Sequence, residues 1–222
     1  MKVWLLLLVN AIFLLMSCNS NAQNRSSMAN TSTASAISDD TSDTQMQLAT
    51  FGEGCFWCIE PIYDKIKGVK DVTVGFTGGE VEDPTYRQVV SGQTGHAEVA
   101  RITFDPEMVS YKQLLEVFWH THNPTTKNRQ GADVGTQYRS VIFYHNEKQK
   151  RIAEKSLEKT DQSSLWEDPI VTDIEPLDNF YRAENYHQKY FENNPNAGYC
   201  NVVIAPKVKK FRKEFPDLLK DE

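Results

Sequence analysis

Cys55 and Cys58 stand three positions apart in the run Gly54-Cys55-Phe56-Trp57-Cys58. A thiolate attacks electrophilic centres, and a pair of thiols closes and reopens a disulfide. Cys55 follows a glycine and precedes a segment with helical spacing. A helix N-terminus carries unpaired N–H groups and partial positive charge, and both lower a thiol's pKa. Cys55 is therefore the expected reactive thiolate, against the plainer alternative of a small buried hydrophobe. The C-x-x-C pair itself has three readings: a dithiol oxidoreductase, half of a zinc site, or chance spacing. Zinc needs a second ligand pair at similar spacing. Cys200 stands alone, and His96, His120, His122 and His187 are scattered, so no metal is expected. A thioredoxin-type domain normally offers a strand before the motif, plausible here, and a later cis-proline, which is not evident. Phe56 and Trp57 flank the nucleophile. Sulfur packs well against aromatic rings, so the two are fitted to hold an apolar or sulfur-bearing group, with core packing as the alternative.

These side chains need elements to position them. Residues 48–51 read as a short strand running into Gly52 and Gly54. Phe56, Ile59, Ile62, Tyr63 and Ile66 recur at helical spacing over 56–66, with Gly68 placed to close the helix. Pro61 falls near its first turn, where a missing N–H is tolerated. Val72, Val74 and Phe76 alternate through a strand at 69–76, and 97–104 is another. Ser110 with Gln113 forms a capping-box signature ahead of a helix that carries Tyr111, Leu114, Leu115, Phe118 and Trp119 on one face. Residues 138–144 read as a strand. Asn146 caps an exposed charged helix running to about residue 157. A strand at 170–174, a helix at 184–192 and a loop at 193–199 follow. The basic tail after Pro206 is expected at the surface. Strands and helices mixed without a strict repeat predict an α+β fold. The expected arrangement is a two-layer α/β sandwich with a ferredoxin-like mixed sheet, flanking helices and a long irregular C-terminal segment.

The chain has 222 residues, 40% hydrophobic and 11% aromatic, which suits one ordered domain with a sizeable core. Its formal net charge of −6 argues against nucleic acid as a partner, because phosphate binding needs clustered Lys and Arg. The cysteines are too few and too unevenly spaced for a disulfide-stapled scaffold. Met1-Lys2 precedes an almost wholly apolar run at 3–16, shorter than the roughly 20 residues that span a bilayer. It reads as the core of a secretory signal. Its end, Leu15-Met16-Ser17-Cys18, resembles the lipobox of bacterial lipoproteins, a pattern in which Cys18 carries the lipid. An ordinary signal peptide or an uncleaved anchor is the alternative, and every version exports the domain. The expected division is a lipoprotein-type signal at 1–18, a flexible tether at 19–46 and a catalytic domain at 47–222. The tether is rich in Ser, Thr, Asn, Ala and Asp, and cannot bury enough surface to offset its ordering entropy. A monomer held on a membrane of the bacterial cell envelope is expected, facing the periplasm or the surface.

Gly54-Cys55-Phe56-Trp57-Cys58-Ile59-Glu60 resembles the signature of the peptide methionine sulfoxide reductase A family. Val74-Gly75-Phe76-Thr77-Gly78-Gly79, Pro84-Thr85-Tyr86 and Gly95-His96-Ala97-Glu98-Val99 match the family's pattern in order. So do Phe118-Trp119, the stretch from His122 to Thr125, the stretch from Asn128 to Ser140, and the stretch from Ala183 to Tyr190. The resemblance implies reduction of the S-epimer of methionine sulfoxide, free or in proteins, with oxidised methionine-containing proteins as partners. By the same resemblance Cys55 attacks the sulfur, Glu98 is the acid, Tyr86 and Tyr138 donate hydrogen bonds to the oxygen, and Phe56 and Trp57 cage the methyl group. Asp133 and Tyr190 match further site positions. A sulfoxide oxygen must be protonated to leave, and a carboxyl whose pKa is raised by burial can supply that proton near neutral pH. Cys55 is then left as a sulfenic acid, which a second thiol must attack. Family members often use the cysteine of a C-terminal Gly-Tyr-Cys segment, matched by Gly198-Tyr199-Cys200, whose Gly and Asn surroundings fit a mobile segment. Cys58 departs from members with glycine there and is the competing partner, with Cys200 narrowly preferred. No bound cofactor is implied, only an external dithiol reductant of thioredoxin type. A general thiol–disulfide oxidoreductase and an exported methionine-binding lipoprotein are the rival classes.

Overall fold

The structure, a computed structural model, describes residues 45–221. The signal segment and the tether up to residue 44 lie outside the described residues. The domain begins with strand β1 (Gln47–Glu53), helix α1 (Phe56–Tyr63), strand β2 (Val69–Thr77) and short helix α2 (Tyr86–Val90). Strand β3 (Ala97–Phe104), helix α3 (Tyr111–Thr121) and a small hairpin of β4 (Arg129–Gln130) and β5 (Asp133–Val134) follow. Then come β6 (Ser140–Tyr144), α4 (Glu147–Asp161), β7 (Asp173–Pro176), β8 (Tyr181–Arg182), α5 (Tyr190–Asn193) and α6 (Ala205–Glu214). The main sheet runs β7-β6-β1-β3-β2-β8. Its β6–β7 pair is parallel and its other pairs are antiparallel. The path β1-α1-β2-β3-α3-β6 with spatial order β6-β1-β3-β2 is the ferredoxin-like arrangement of an α+β sandwich, as the sequence predicts.

Alternation along the strands divides the two faces. Ala49 and Phe51 of β1, and Ala100, Ile102 and Phe104 of β3, join the large core beneath the helices. Ala97, Val99, Val141 and Phe143 form a smaller cluster with Leu177 and Phe180. Ser110 accepts from the Gln113 backbone while the Gln113 side chain accepts from Ser110, so the expected capping box opens α3.

Several elements depart from their sequence-predicted bounds. Helix α1 stops at Tyr63 rather than 66, because the C-terminal segment captures the following turn. Lys67 N–H donates to the Leu218 carbonyl at 2.7 Å, Lys220 N–H donates to Lys65 at 2.9 Å, and Ile66 bridges Leu219. Pro61 lies inside α1 rather than in its first turn, so the Trp57 carbonyl lacks its i+4 donor. Tyr138 belongs to a 3-10 turn, Thr136–Tyr138, ahead of β6. The 184–192 segment is no continuous helix: a turn at Asn185–His187 and a left-handed Lys189 precede the four residues of α5. Strand β7 sits a few residues after the expected 170–174. The tail after Pro206 lies at the surface as expected, but one face of it is anchored. Ile204, Val208 and Phe211 recur at helical spacing, are buried, and seat α6 on the core. Among the described residues no helix is long and apolar enough to cross a membrane.

Candidate active site

Cys55 is the N-cap of α1, extended at φ −61 and ψ 123, with no side-chain cap of its own. The Glu98 carboxylate takes that part, accepting the Phe56 N–H at 3.1 Å. A carboxyl from β3 thus sits at the helix start beside the thiol. Glu98 is 1% exposed. Burial raises its pKa to about 8 against the hydrogen bond from Phe56, so it holds a proton at neutral pH. The turn into α1 depends on Gly54, whose φ is +91. A Cβ there would fall 2.5 Å from that of Gln130. The glycine lets the β4–β5 hairpin close on the thiol, and Gln130 anchors that hairpin through both its amide atoms to the Asn123 backbone.

Cys58 lies one turn along α1, its backbone N–H donating to the Cys55 carbonyl at 2.9 Å, and the two thiols act on each other's pKa. The Cys58 side chain, then burial and the nearby Glu98, pushes the Cys55 thiol well up, contrary to the lowering expected from the helix N-terminus alone. The Cys55 side chain in turn lowers Cys58 to about 7, helped by the charge of Lys207. The opposite directions of the two shifts place the pair's negative charge by preference on Cys58 and its proton on Cys55. Cys200 opens a π-helical turn, Cys200–Ile204, leading into α6. It is 0% exposed. Burial and the neighbouring Cys58 push its thiol up.

Tyr86 and Tyr138 lie near enough to Glu98 and Cys55 to feel their charge. Burial, then Glu98, raises Tyr86 well above the phenol range, and Tyr138 is raised in the same way. Both remain O–H donors at any physiological pH. Tyr86 starts α2, where Thr85 and Gln88 form a capping box and the Glu184 carboxylate accepts the Tyr86 N–H at 3.2 Å. The T-x-x-Q spacing was legible in the sequence, although α2 is absent from the elements read there. Tyr138 is set by its neighbour Arg139, which donates to the carbonyls of Gly95 and Thr136. Asp133 accepts from the Tyr199 hydroxyl at 2.8 Å, and that hydroxyl lies 3.8 Å from the Cys58 sulfur. Asp133 is therefore tied to Cys58 through Tyr199, a residue sequence reasoning passed over as mere context for Cys200.

Phe56 is fully buried, between Phe76, Tyr86 and His187. Trp57 is half-buried and carries the open side of the wall. Its indole N–H donates to His187 Nδ1 at 3.1 Å. Tyr190 stacks on its ring at 3.7 Å and 8°. His187, written off as scattered in the sequence, is thus the hub joining Phe56, Trp57 and Tyr86.

Two more acids are buried around α1. Glu53 accepts from Tyr63 at 2.7 Å and contacts Thr121 at 2.9 Å, and burial raises it to about 7. Its 3.8 Å approach to His122 is no charged pair near neutral pH, because burial lowers His122 to about 3. Glu60 is held from the other side of α1 and is likewise raised to about 7 by burial. Nothing in the sequence marks these glutamates as buried, since charge alone points outward.

Three free cysteines among the described residues, set with a buried carboxyl and an aromatic wall, are the equipment of a thiol-dependent oxidoreductase. Residues 47–219 match the family model described as peptide methionine sulfoxide reductase. The chain is 52% identical over 177 residues to the peptide methionine sulfoxide reductase MsrA of Acinetobacter baumannii strain SDF, covering 80% of this chain and 100% of that one. It is 51% identical over 172 residues to the MsrA of Sulfolobus acidocaldarius, covering 78% and 97%. Among solved structures, reduced Mxr1 from Saccharomyces cerevisiae superposes with a TM-score of 0.65 at 36% identity, covering 71% of this chain and 91% of that one. The chain belongs to the peptide methionine sulfoxide reductase family. It is an enzyme of methionine sulfoxide reduction and repair.

Proposed function

We propose that the domain reduces the S-epimer of methionine sulfoxide, free or in proteins, through a cysteine sulfenic acid and an intramolecular disulfide. The observation that carries this reading is the buried, protonated Glu98 at the helix start beside Cys55. Cys55 attacks the sulfoxide sulfur as its proton passes to the Cys58 thiolate. Glu98 gives its proton to the sulfoxide oxygen, with Tyr86 and Tyr138 donating hydrogen bonds. The S–O bond then breaks, hydroxyl ends on the Cys55 sulfur, and methionine leaves, two electrons having moved from the thiol to the sulfoxide. Cys58, now a thiol, attacks the sulfenic acid, expels water and closes the disulfide. The place of Cys58 one helical turn from Cys55, with the two thiols acting on each other, supports Cys58 as this first partner, whereas Cys200 is buried near Cys58 and suits a later exchange. An external dithiol of thioredoxin type reopens the disulfide. Phe56 and Trp57, with Tyr190 against the indole, form the wall for the substrate's methyl group.

Turnover of each epimer with dithiothreitol tests the chemistry. Wild type consumes the S-epimer, Cys55→Ser does not, and Glu98→Gln is slowed severely. No S-epimer turnover by wild type, or equal use of the R-epimer, overturns the reading. Single-turnover thiol counts test the partner: Cys58→Ser should stop at a sulfenic acid trapped by dimedone. A disulfide formed at normal rate in that variant would instead make Cys200 the resolving thiol.

The apolar run at 3–16 and the Cys18 pattern support export and lipid attachment, so the proteins repaired would be envelope proteins. Labelling with a fatty-acid analogue should mark the wild type and not Cys18→Ala. Equal labelling of both would sink the anchor.

A further inference from the structure

Glu60 lies on α1 five residues after Cys55, is 4% exposed, and has no part in the reaction described above. Its Oε1 accepts the backbone N–H of Lys189 at 2.7 Å. Lys189 is one of three non-glycine residues among those described with positive φ, at +53. A long side chain holds that conformation only where its surroundings over-determine it. The next residue is Tyr190, whose ring lies flat on Trp57 at 3.7 Å. From the other side Gln188 ties the same strap to β2, donating to and accepting from the Val74 backbone. One buried carboxylate thus fixes the backbone at the point where the chain turns to deliver the ring. Its second oxygen is buried with no hydrogen-bond partner in the structure. The Lys189 bond is accordingly its principal anchorage.

We propose that Glu60 is a positioning residue that seats Tyr190 on Trp57 and thereby sets the aromatic wall to which substrate binds. It touches neither the thiols nor the reacting oxygen. The proposal rests on the reading of Trp57 as substrate wall, but its structural half does not. Burial that raises Glu60 to about 7 fits a carboxyl held for its acceptor geometry rather than its charge.

The test measures the emission of Trp57, taken as the difference from Trp57→Phe, alongside KM and kcat for methionine sulfoxide. Glu60→Ala should alter the Trp57 emission in the substrate-free protein. It should raise KM roughly 3- to 10-fold, the scale of one lost aromatic contact, with kcat within about 2-fold of wild type. Tyr190→Leu should reproduce the KM effect, and Glu60→Gln, which keeps an acceptor for Lys189, should restore most of both signals. If Glu60→Ala does not fold, Glu60→Asp serves, because it keeps the charge while withdrawing the acceptor by one methylene. A folded variant with unchanged Trp57 emission overturns the proposal. So does a fall in kcat at constant KM, or a Tyr190→Leu variant with normal KM. Failure of wild type to turn over any sulfoxide would defeat the functional reading alone, since the emission arm needs no substrate.

Discussion

Glu98 has two tasks at one position: it accepts the first N–H of α1, and it keeps a proton beside Cys55. The second depends on burial. An exposed glutamate would be ionised and would repel the attacking thiolate. With its pKa raised to about 8, Glu98 is a proton donor below that pH and an anion above it. The reduction rate should therefore fall as pH rises through about 8, and Glu98→Gln should abolish that limb. The amide still accepts from Phe56 but cannot protonate the leaving oxygen, so kcat should drop on the order of 100- to 1000-fold with KM little changed. A variant within a few-fold of wild type would remove Glu98 from the chemistry. From the sequence, Cys55 was legible as a reactive thiol by its glycine and its helix. Glu98, Tyr86, Tyr138 and Asp133 were legible only through resemblance, because nothing local to each residue tells which loop faces the thiol. The direction of the Cys55 pKa was misjudged for a related reason. A helix N-terminus is visible in sequence, but the partner sulfur and the buried carboxyl facing it are not.

At the scale of elements, the site is assembled where β1 hands over to α1. The glycine between them is required twice, for its positive φ and for the close approach of Gln130. Gly54→Ala should displace the β4–β5 hairpin, carrying Asp133 away from Tyr199, and should cost about 1–3 kcal/mol through backbone strain alone. Thermal unfolding should show a drop of several degrees, with activity falling further than the folded fraction does. A variant with unchanged Tm would show that the hairpin yields freely. Elements with strong periodicity and caps, such as β3 and α3, were placed by sequence with almost no error. Those that failed were set by contacts distant in sequence. Helix α1 ends early because Leu218 and Lys220 bind its exit turn, and the 184–192 segment breaks because Glu60 and Gln188 capture its backbone. The α6 stripe of Ile204, Val208 and Phe211 was present in the sequence but hidden among lysines.

Across the whole molecule, the helical layer buries three acids that ordinary folding would leave in water. Burial raises Glu53 and Glu60 to about 7 and Glu98 to about 8. In the unfolded chain a glutamate titrates near 4.3. Between these values the folded state binds more protons than the unfolded one, so stability is lost as pH rises through the folded pKa values. Buried His122 and His145, lowered to about 3 and 4, act in the opposite sense, but only below the unfolded histidine value of roughly 6.5. Above that pH the histidines drop out, and Cys58, lowered to about 7, opposes the glutamates only from there up to the unfolded thiol value of roughly 8.5. The Tm should therefore fall from pH 6.5 to about 7.5 and flatten toward 8.5, as the glutamates finish ionising and Cys58 opposes the last of them. Glu53→Gln should flatten the slope without unfolding the protein. Tyr63 still finds an acceptor, and Thr121, which already donates to the Val117 carbonyl at 2.8 Å, is free to accept from the amide. Scanning calorimetry across that range decides the matter. A flat or rising Tm over its lower half, or a slope unchanged in Glu53→Gln, would mean that these carboxyls ionise without cost and that Glu98 is no proton reservoir at neutral pH.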